Sequence, residues 1–314
     1  MKIKNAFVWV SLAALISALG VFIANYKYSP RSASIITSNF VAYDFARAIT
    51  GDASNIGMLL KPGAEAHDYE PSPQDIKNII EADFFIYTGG ESDEWVEDML
   101  RDNNIDQAKT IKMMDFVELK TEEVVEGMET EEEGIEEEGE YDEHIWTSPV
   151  NAIRIIEAMR DRFVAKNAQK EGEYTANVQK YIDSLNEIDK EFRAVVKNTK
   201  RKELVFGDRF PFRYFVDEYG LEYSAAFSGC SDQTEASSST IAYLVNKVKN
   251  DQLPVVLKIE LTSGSLAQAI ADETGAKILT LNAAHNISQA DFDNGKTYAD
   301  IMRENINVIR EALN

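Results

Sequence analysis

One long amphipathic helix, set between two stretches of alternating strand and helix patterns, limits the fold of this chain most. Within residues 174–197, apolar side chains recur every three to four positions with charged residues between them, which predicts one helix with a buried face. These apolar positions are Val178, Tyr181, Ile182, Leu185, Ile188, Phe192, Val195 and Val196. A helix of this length between two patterned stretches predicts two domains joined by a linker.

The stretches on both sides of the linker show the rhythm of parallel α/β domains. Short apolar runs at 34–37, 56–60 and 84–88 alternate with helical patterns, and the rhythm restarts at Leu204 and continues to a last helix near the C-terminus. Strands separated by helices of this length form a largely parallel sheet. We therefore predict an N-terminal α/β domain at 34–165, a linker helix at 166–200 and a C-terminal α/β domain at 201–314.

The charge of the chain is concentrated in one segment. Residues 122–143 carry thirteen of the acidic side chains and no Lys, Arg or His, which leaves −9 of the net charge of −22 for the rest. A chain this acidic is not expected to bind nucleic acid, because phosphate backbones are recognised through Lys and Arg. We predict a mobile surface loop inserted in the first domain, either a solvated spacer or an arm that concentrates cations.

The first residues have the pattern of an export signal. Lys2 and Lys4 precede an uncharged run at 6–24, which places the body of the protein outside the cytoplasmic membrane. Residues 1–33 are predicted to be a signal peptide or a signal anchor, and both remain open because no clear cleavage motif follows. The single cysteine, Cys230, lies far from the N-terminus and does not support a lipid anchor. We expect it to be a small buried residue.

The three histidines of the chain all lie in loop-like segments. His67 and His144 are each followed within six residues by Ser-Pro and a helical pattern, and His285 follows a strand pattern of the second domain. Loops of this kind meet at the carboxyl edge of a parallel sheet, where ligands bind. Three imidazoles suit a borderline-soft divalent ion such as zinc. His67, His144 and His285 are therefore the predicted metal ligands.

Several motifs together resemble the zinc and manganese solute-binding proteins of ABC importers. The resemblance lies in residues 63–73, 142–149, 208–215 and 285–302 and in the long central helix. It implies two domains bridged by a rigid helix, with the metal in the cleft between them and His67 and His144 as its first two ligands. The acidic segment stands where many zinc-binding members carry a metal-attracting loop that also contains histidine.

One position departs from the family pattern. Arg209 stands where many members have a His or Glu ligand, and an arginine cannot coordinate a cation. His285 falls close to the family's last ligand, which is usually acidic, and we expect its nitrogen to replace the one lost at Arg209. Asp208 and Glu260 are candidates for a fourth, oxygen ligand.

The predicted function is the capture of a divalent transition metal, with zinc as the expected cargo, and its delivery to an ABC permease. The protein is expected to be a monomer and not an enzyme. Manganese is the alternative cargo. A zinc-dependent hydrolase is a weaker alternative, because the sequence has no His-Glu-x-x-His motif. A structural or adhesive surface protein with incidental metal is the third class.

Overall fold

The computed structural model describes residues 34–65, 69–128, 140–231 and 235–314. The predicted export signal at 1–33 lies outside this part of the chain. The strands are β1 Ile35–Thr37, β2 Ile56–Met58, β3 Phe84–Tyr87, β4 Thr110–Lys112, β5 Glu203–Arg209, β6 Glu222–Phe227, β7 Val255–Lys258 and β8 Lys277–Thr280. The α-helices are α1 Phe40–Thr50, α2 Pro73–Glu81, α3 Glu94–Asp102, α4 Pro149–Lys166, α5 Glu171–Lys197, α6 Arg213–Tyr219, α7 Ser238–Asn250, α8 Ser265–Thr274, α9 Gln289–Asp293 and α10 Tyr298–Ala312.

Two four-stranded parallel sheets form the centres of two α/β domains, as predicted. The first sheet has the order β2-β1-β3-β4 and the second β6-β5-β7-β8. In both sheets the order reverses at a central strand, so neighbouring loops leave the carboxyl edge in opposite directions and open a crevice there. Strand β4 is absent from the sequence prediction, because three residues with one apolar side chain give no periodic signal.

The helix ends carry the capping residues that the sequence pattern indicates. Ser72 and Asp75 form a capping box at the start of α2, and the Ser148 hydroxyl accepts a hydrogen bond from Asn151 N at the start of α4. Both helices have proline at their first position, where the missing N–H costs nothing. These caps fix the two loops that run from the carboxyl edge of the first sheet into a helix.

Helix α5 links the domains and packs on both. Its buried residues include Val178, Leu185 and Phe192, which belong to the same hydrophobic core as Phe45 of the first domain and Phe206 of the second. Two smaller cores cover the opposite faces of the two sheets. Because one core is continuous through the linker, the domains and α5 form a single packed body.

A buried carboxylate joins three parts of this body. Asp44 on α1 accepts hydrogen bonds from the Tyr181 hydroxyl on α5 at 2.6 Å and from Tyr298 N at the start of α10 at 2.9 Å. Arg47 pairs with Asp44 and also donates to the carbonyl of Lys296 at 3.2 Å. The hydrogen-bond partners of Asp44 lie on the linker and on the second domain, so Asp44 opposes rotation of one domain against the other.

Residues 119–128 cross from the first domain to the second. Lys120 Nζ lies 2.7 Å from Asp217 Oδ2, and Arg213 Nη1 lies 3.2 Å from Glu123 Oε2. Gly127 has a φ of +87° and lies so close to the Tyr243 ring that a Cβ there would come within 2.1 Å of it. This crossing segment therefore adds a second tie between the domains.

The prediction of a mobile surface loop at 122–143 is wrong at the C-terminal end of the segment. Asp142 and Glu143 are buried there, and Met128 within the segment is buried as well. The chain returns through an antiparallel bridge between Thr121 and Tyr141, which directs Asp142 and Glu143 inward. Residues 129–139 lie outside the described part of the chain. Within the described ranges, no helix has the length and apolar character needed to cross a membrane.

Candidate metal centre

His144 and His285 come from different domains and meet at the cleft. His144 lies directly before a 3-10 turn, Ile145–Thr147, that leads into α4, which confirms its predicted position before a helix. His285 follows β8, at the carboxyl edge of the second sheet. His144 Nε2 lies 3.3 Å from His285 Nδ1, and the two rings are almost perpendicular. Two of the three predicted ligands are therefore brought together from positions 141 residues apart.

Glu143 completes a cluster of three potential metal ligands. Its Oε1 lies 3.6 Å from His285 Nε2, and one ligand atom from each of Glu143, His144 and His285 can be chosen so that all lie within 4.8 Å of one another. Glu143 and His144 are buried, while His285 keeps 15% of its side chain exposed. Two nitrogens and one carboxylate oxygen at these separations can share one divalent cation.

Asp142 orients the His144 ring. Its Oδ1 lies 3.1 Å from His144 Nδ1 and also accepts a hydrogen bond from His144 N at 2.7 Å. A carboxylate beside Nδ1 favours the tautomer with the proton on that nitrogen, so the lone pair on Nε2 points toward the cleft. Tyr214 of the second domain donates to the Asp142 carbonyl at 2.8 Å and holds this turn in place.

The Trp146 ring packs against both histidine rings. Its ring centroid lies 5.7 Å from that of His144 and 5.7 Å from that of His285. The indole N–H donates to the Ala283 carbonyl at 2.7 Å, and the Tyr298 hydroxyl donates to the Trp146 carbonyl at 2.6 Å. A fully buried tryptophan of the first domain therefore fixes the loop of the second domain that carries His285.

Burial favours the neutral forms of the carboxylic acids at the cluster. It raises the pKa of Glu143 to about 8 and that of Asp142 to about 7, although hydrogen bonds to Glu143 from Ser92 and to Asp142 from His144 act in the opposite direction. A bound divalent cation supplies the compensating charge that would keep such groups ionised. The environment of this cluster is therefore suited to a cation.

The two other oxygen candidates accept hydrogen bonds from neighbouring groups and lie outside the cluster found among the described residues. Asp208 accepts from the Thr262 hydroxyl at 2.6 Å and from Arg209 N at 2.9 Å. Glu260 accepts from Ala283 N at 2.7 Å and from His285 N at 3.0 Å. Glu260 shapes the His285 loop from behind, and Asp208 stabilises the end of β5. Glu143 is the carboxylate that lies in the cluster.

Arg209 faces the first domain. Its Nη2 lies 3.1 Å from Glu65 Oε2, across the cleft from β5. Asn286 Nδ2 donates to the carbonyl of Lys61 at 3.2 Å and also to that of Ala64. The loop that leads from β2 toward His67 is thus tied to the second domain at two points next to the cluster.

His67 lies outside the described residues, but the chain on either side of it is close to the cluster. Glu65 makes the ion pair with Arg209, and Tyr69 lines a small cavity together with Glu143 and His285. The part that His67 plays stays a prediction.

Cys230 is buried, as predicted, and is not part of the cluster formed by the described residues. Its backbone N–H donates to Glu122 Oε1 at 2.9 Å. Burial, together with the carboxylates of Glu143 and Glu122, strongly raises the pKa of its thiol, so it is an inert group at neutral pH.

The sequence prediction missed Glu143, although it precedes a predicted ligand directly. Glu143 stands at the end of the acidic run, where twelve other acidic residues hide its inward-turning side chain. A sequence signal does exist, because a Glu-His pair just before a Ser-Pro helix start places both side chains at one sheet edge. Ser92 carries no such signal, because only the folded chain brings it to Glu143.

The fold and the cluster define a two-domain binding protein with a candidate cation site in the interdomain cleft. Residues 35–312 match the family described as "Zinc-uptake complex component A periplasmic", ZnuA. The chain belongs to this family, which comprises solute-binding proteins and not enzymes.

Known relatives agree with this assignment. The chain is 31% identical to the zinc-binding lipoprotein AdcA of Streptococcus pneumoniae strain R6, over 96% of this chain and 60% of that protein. It is 29% identical to the high-affinity zinc uptake system protein ZnuA of Bacillus subtilis, over 89% of this chain and 87% of that protein. The zinc-bound ZnuA-like domain of S. pneumoniae AdcA superposes with a TM-score of 0.74 and 29% identity, over 89% of this chain and 98% of that domain. The chain thus spans less than two thirds of the length of AdcA.

Proposed function

We propose that this protein captures a zinc ion in the cleft between its two domains, outside the cytoplasmic membrane, and delivers it to an ABC-type importer. The observation that carries the proposal is the buried cluster of Glu143, His144 and His285, contributed by both domains of a chain in the zinc-uptake family. Relatives named for zinc binding and high-affinity zinc uptake support the choice of cargo.

The proposed ligand set is His67, His144, His285 and Glu143. Three imidazoles and one carboxylate oxygen suit the four-coordinate geometry that zinc prefers, and nitrogen ligands favour zinc over manganese, which prefers oxygen. Tyr69, two residues after His67, lines the same small cavity as Glu143 and His285, which supports the inclusion of His67. In this ligand set His285 supplies the nitrogen that Arg209 cannot, and Glu143 supplies the oxygen.

Release to the permease is proposed to involve the loop of residues 61–65 and not a rotation of whole domains. The continuous core and the Asp44 hydrogen bonds oppose rotation. The ties from Arg209 and Asn286 to this loop are few. Local motion of such a loop is less costly than breaking a packed core.

Metal competition on the purified protein tests the proposal. Native mass spectrometry of protein prepared without chelator should show one zinc ion, and titration should show tighter binding of zinc than of manganese. Glu143→Gln should weaken zinc binding, whereas Glu126→Gln, which removes an exposed charge of the same acidic segment, should not. Tighter binding of manganese would overturn the zinc assignment.

Growth of a deletion strain tests the transport role. Zinc-limited medium should slow the strain, and the intact gene but not a Glu143→Gln, His285→Ala double variant should restore growth. Normal growth of the deletion strain would separate metal binding from uptake. A metal-dependent esterase assay on the zinc-loaded protein should give no turnover, in agreement with a family that comprises solute-binding proteins and not enzymes.

A further inference from the structure

Ser92 holds both oxygens of the Glu143 carboxylate. The Ser92 hydroxyl donates to Glu143 Oε1 at 2.6 Å, and Ser92 N donates to Glu143 Oε2 at 2.9 Å. Oε1 is also the oxygen that lies 3.6 Å from His285 Nε2, on the side of the cluster. One residue, through its side chain and its backbone, therefore fixes the rotation of this carboxylate about its last bond.

Gly90 closes the other side of Glu143. A Cβ at Gly90 would lie 2.8 Å from Glu143 Cβ and 3.1 Å from Glu143 Oε2, so the backbone there packs directly on the carboxylate. Glu143 is only 1% exposed, so its carboxylate is enclosed by the groups around it. Oε2 faces Gly90 and Ser92 N, and Oε1 faces His285.

The hydrogen bonds limit what Glu143 can offer a cation. A carboxylate oxygen has two lone pairs, and the Ser92 hydroxyl occupies one of those on Oε1. The lone pair that remains on Oε1 can make one metal bond. Oε2 is turned away, so the side chain is restricted to binding through a single oxygen.

We infer that Ser92 is a specificity-determining residue, which holds Glu143 as a one-oxygen ligand and thereby favours four-coordinate zinc over cations that need more oxygen ligands. Zinc is satisfied by four ligands, whereas manganese and calcium prefer more oxygens, and calcium often takes both oxygens of one carboxylate. The inference rests on the proposed function and deepens it.

Metal competition on Ser92 variants tests the inference. Ser92→Ala removes the hydroxyl but keeps the backbone bond, and it should weaken zinc binding about tenfold, the lower end for loss of a group that supports a metal ligand. Manganese binding should stay unchanged or tighten, so the ratio of zinc to manganese affinity should fall at least about tenfold. Ser92→Thr retains the hydroxyl and should keep the ratio.

The matched control is Ser54→Ala. Ser54 also donates its hydroxyl to a carboxylate, that of Asp52, at 2.5 Å, but it is exposed and lies at the opposite edge of the first sheet, before β2. The Ser54→Ala variant should leave the affinities for zinc and for manganese unchanged. An equal loss of zinc and manganese affinity in Ser92→Ala would overturn the inference, because it would show that Ser92 only supports the fold of the site.

Cobalt spectra give a second, independent readout. Co²⁺ replaces Zn²⁺ in such sites, and its visible bands are strong when it is four-coordinate and weak at higher coordination numbers. Wild-type protein and Ser92→Thr should show strong bands, and Ser92→Ala weaker ones. Unchanged bands in Ser92→Ala would refute the inference while leaving zinc capture intact, whereas a wild-type protein that binds no zinc would refute the proposed function itself.

Discussion

Replacement of His285 by alanine tests whether this histidine of the second domain is a metal ligand. The question arises because Arg209, at a usual ligand position, has no atom that can coordinate a cation. Four-ligand zinc sites bind the ion with about 10 to 16 kcal/mol, or about 3 kcal/mol per ligand. At about 1.4 kcal/mol for each factor of ten, His285→Ala should weaken zinc binding by about two orders of magnitude. The ring also contacts Trp146, so part of the loss reflects a less ordered loop.

Arg209→Ala should have a much smaller effect. Its ion pair with Glu65 is 3.1 Å long, and the two side chains are 16% and 45% exposed, so water screens much of the attraction. Pairs of this kind contribute about 0.2 to 1 kcal/mol. Zinc affinity should therefore fall by at most about fivefold, through looser attachment of the loop that leads to His67.

Chelator competition measures both variants on the same scale, and circular dichroism checks that each remains folded. The two losses of zinc affinity should differ by more than about tenfold. Near-native affinity in His285→Ala would refute the role of His285 as a ligand and would assign the site to other groups. A loss in Arg209→Ala as large as that in His285→Ala would show that closure of the loop, and not the imidazole, dominates binding.

Three further predictions concern capture rate, stability and linkage. Deletion of residues 129–139 should slow zinc capture in stopped-flow experiments at low ionic strength but not in high salt, because steering by charge is screened; equal rates at low salt would make this segment a spacer. Tyr181→Phe should lower the free energy of unfolding in urea by about 2 kcal/mol, since it removes a buried hydrogen bond to Asp44, whereas Tyr141→Phe at an exposed site should not. Zinc at about a thousand times its dissociation constant should raise the free energy of unfolding by about 4 kcal/mol, and magnesium should not. An unchanged unfolding curve with zinc would contradict a site formed only in the folded protein.

The two parallel-sheet domains and the long helix between them could be predicted from the sequence because their signals are local. The apolar spacing of α5 and the Ser-Pro starts of α2 and α4 are patterns of neighbouring residues, and each indicates the structure of its own segment. Strand β4 escaped because it has a single apolar side chain and is not part of a longer apolar run, unlike the equally short strands β1 and β2.

The candidate site was only partly predictable for a related reason. His144 and His285 are rare residues in loops, so their placement at sheet edges could be inferred from neighbouring strand and helix patterns. Glu143 and Asp142 are set apart from the exposed acidic residues of the segment by the Thr121–Tyr141 bridge, which turns both of them inward. The hydrogen bonds from Ser92 depend on a loop about 50 residues away, and no local pattern encodes that contact.

The distance of 141 residues between His144 and His285 makes zinc a reporter of completed folding. A chain that has formed only its first domain presents Glu143 and His144 but lacks the ring that faces them, and so has an incomplete metal shell. Domains fold as units during and after synthesis, so tight metal binding begins only when the C-terminal sheet has docked. An unfinished or truncated copy therefore cannot compete with the intact protein for scarce zinc.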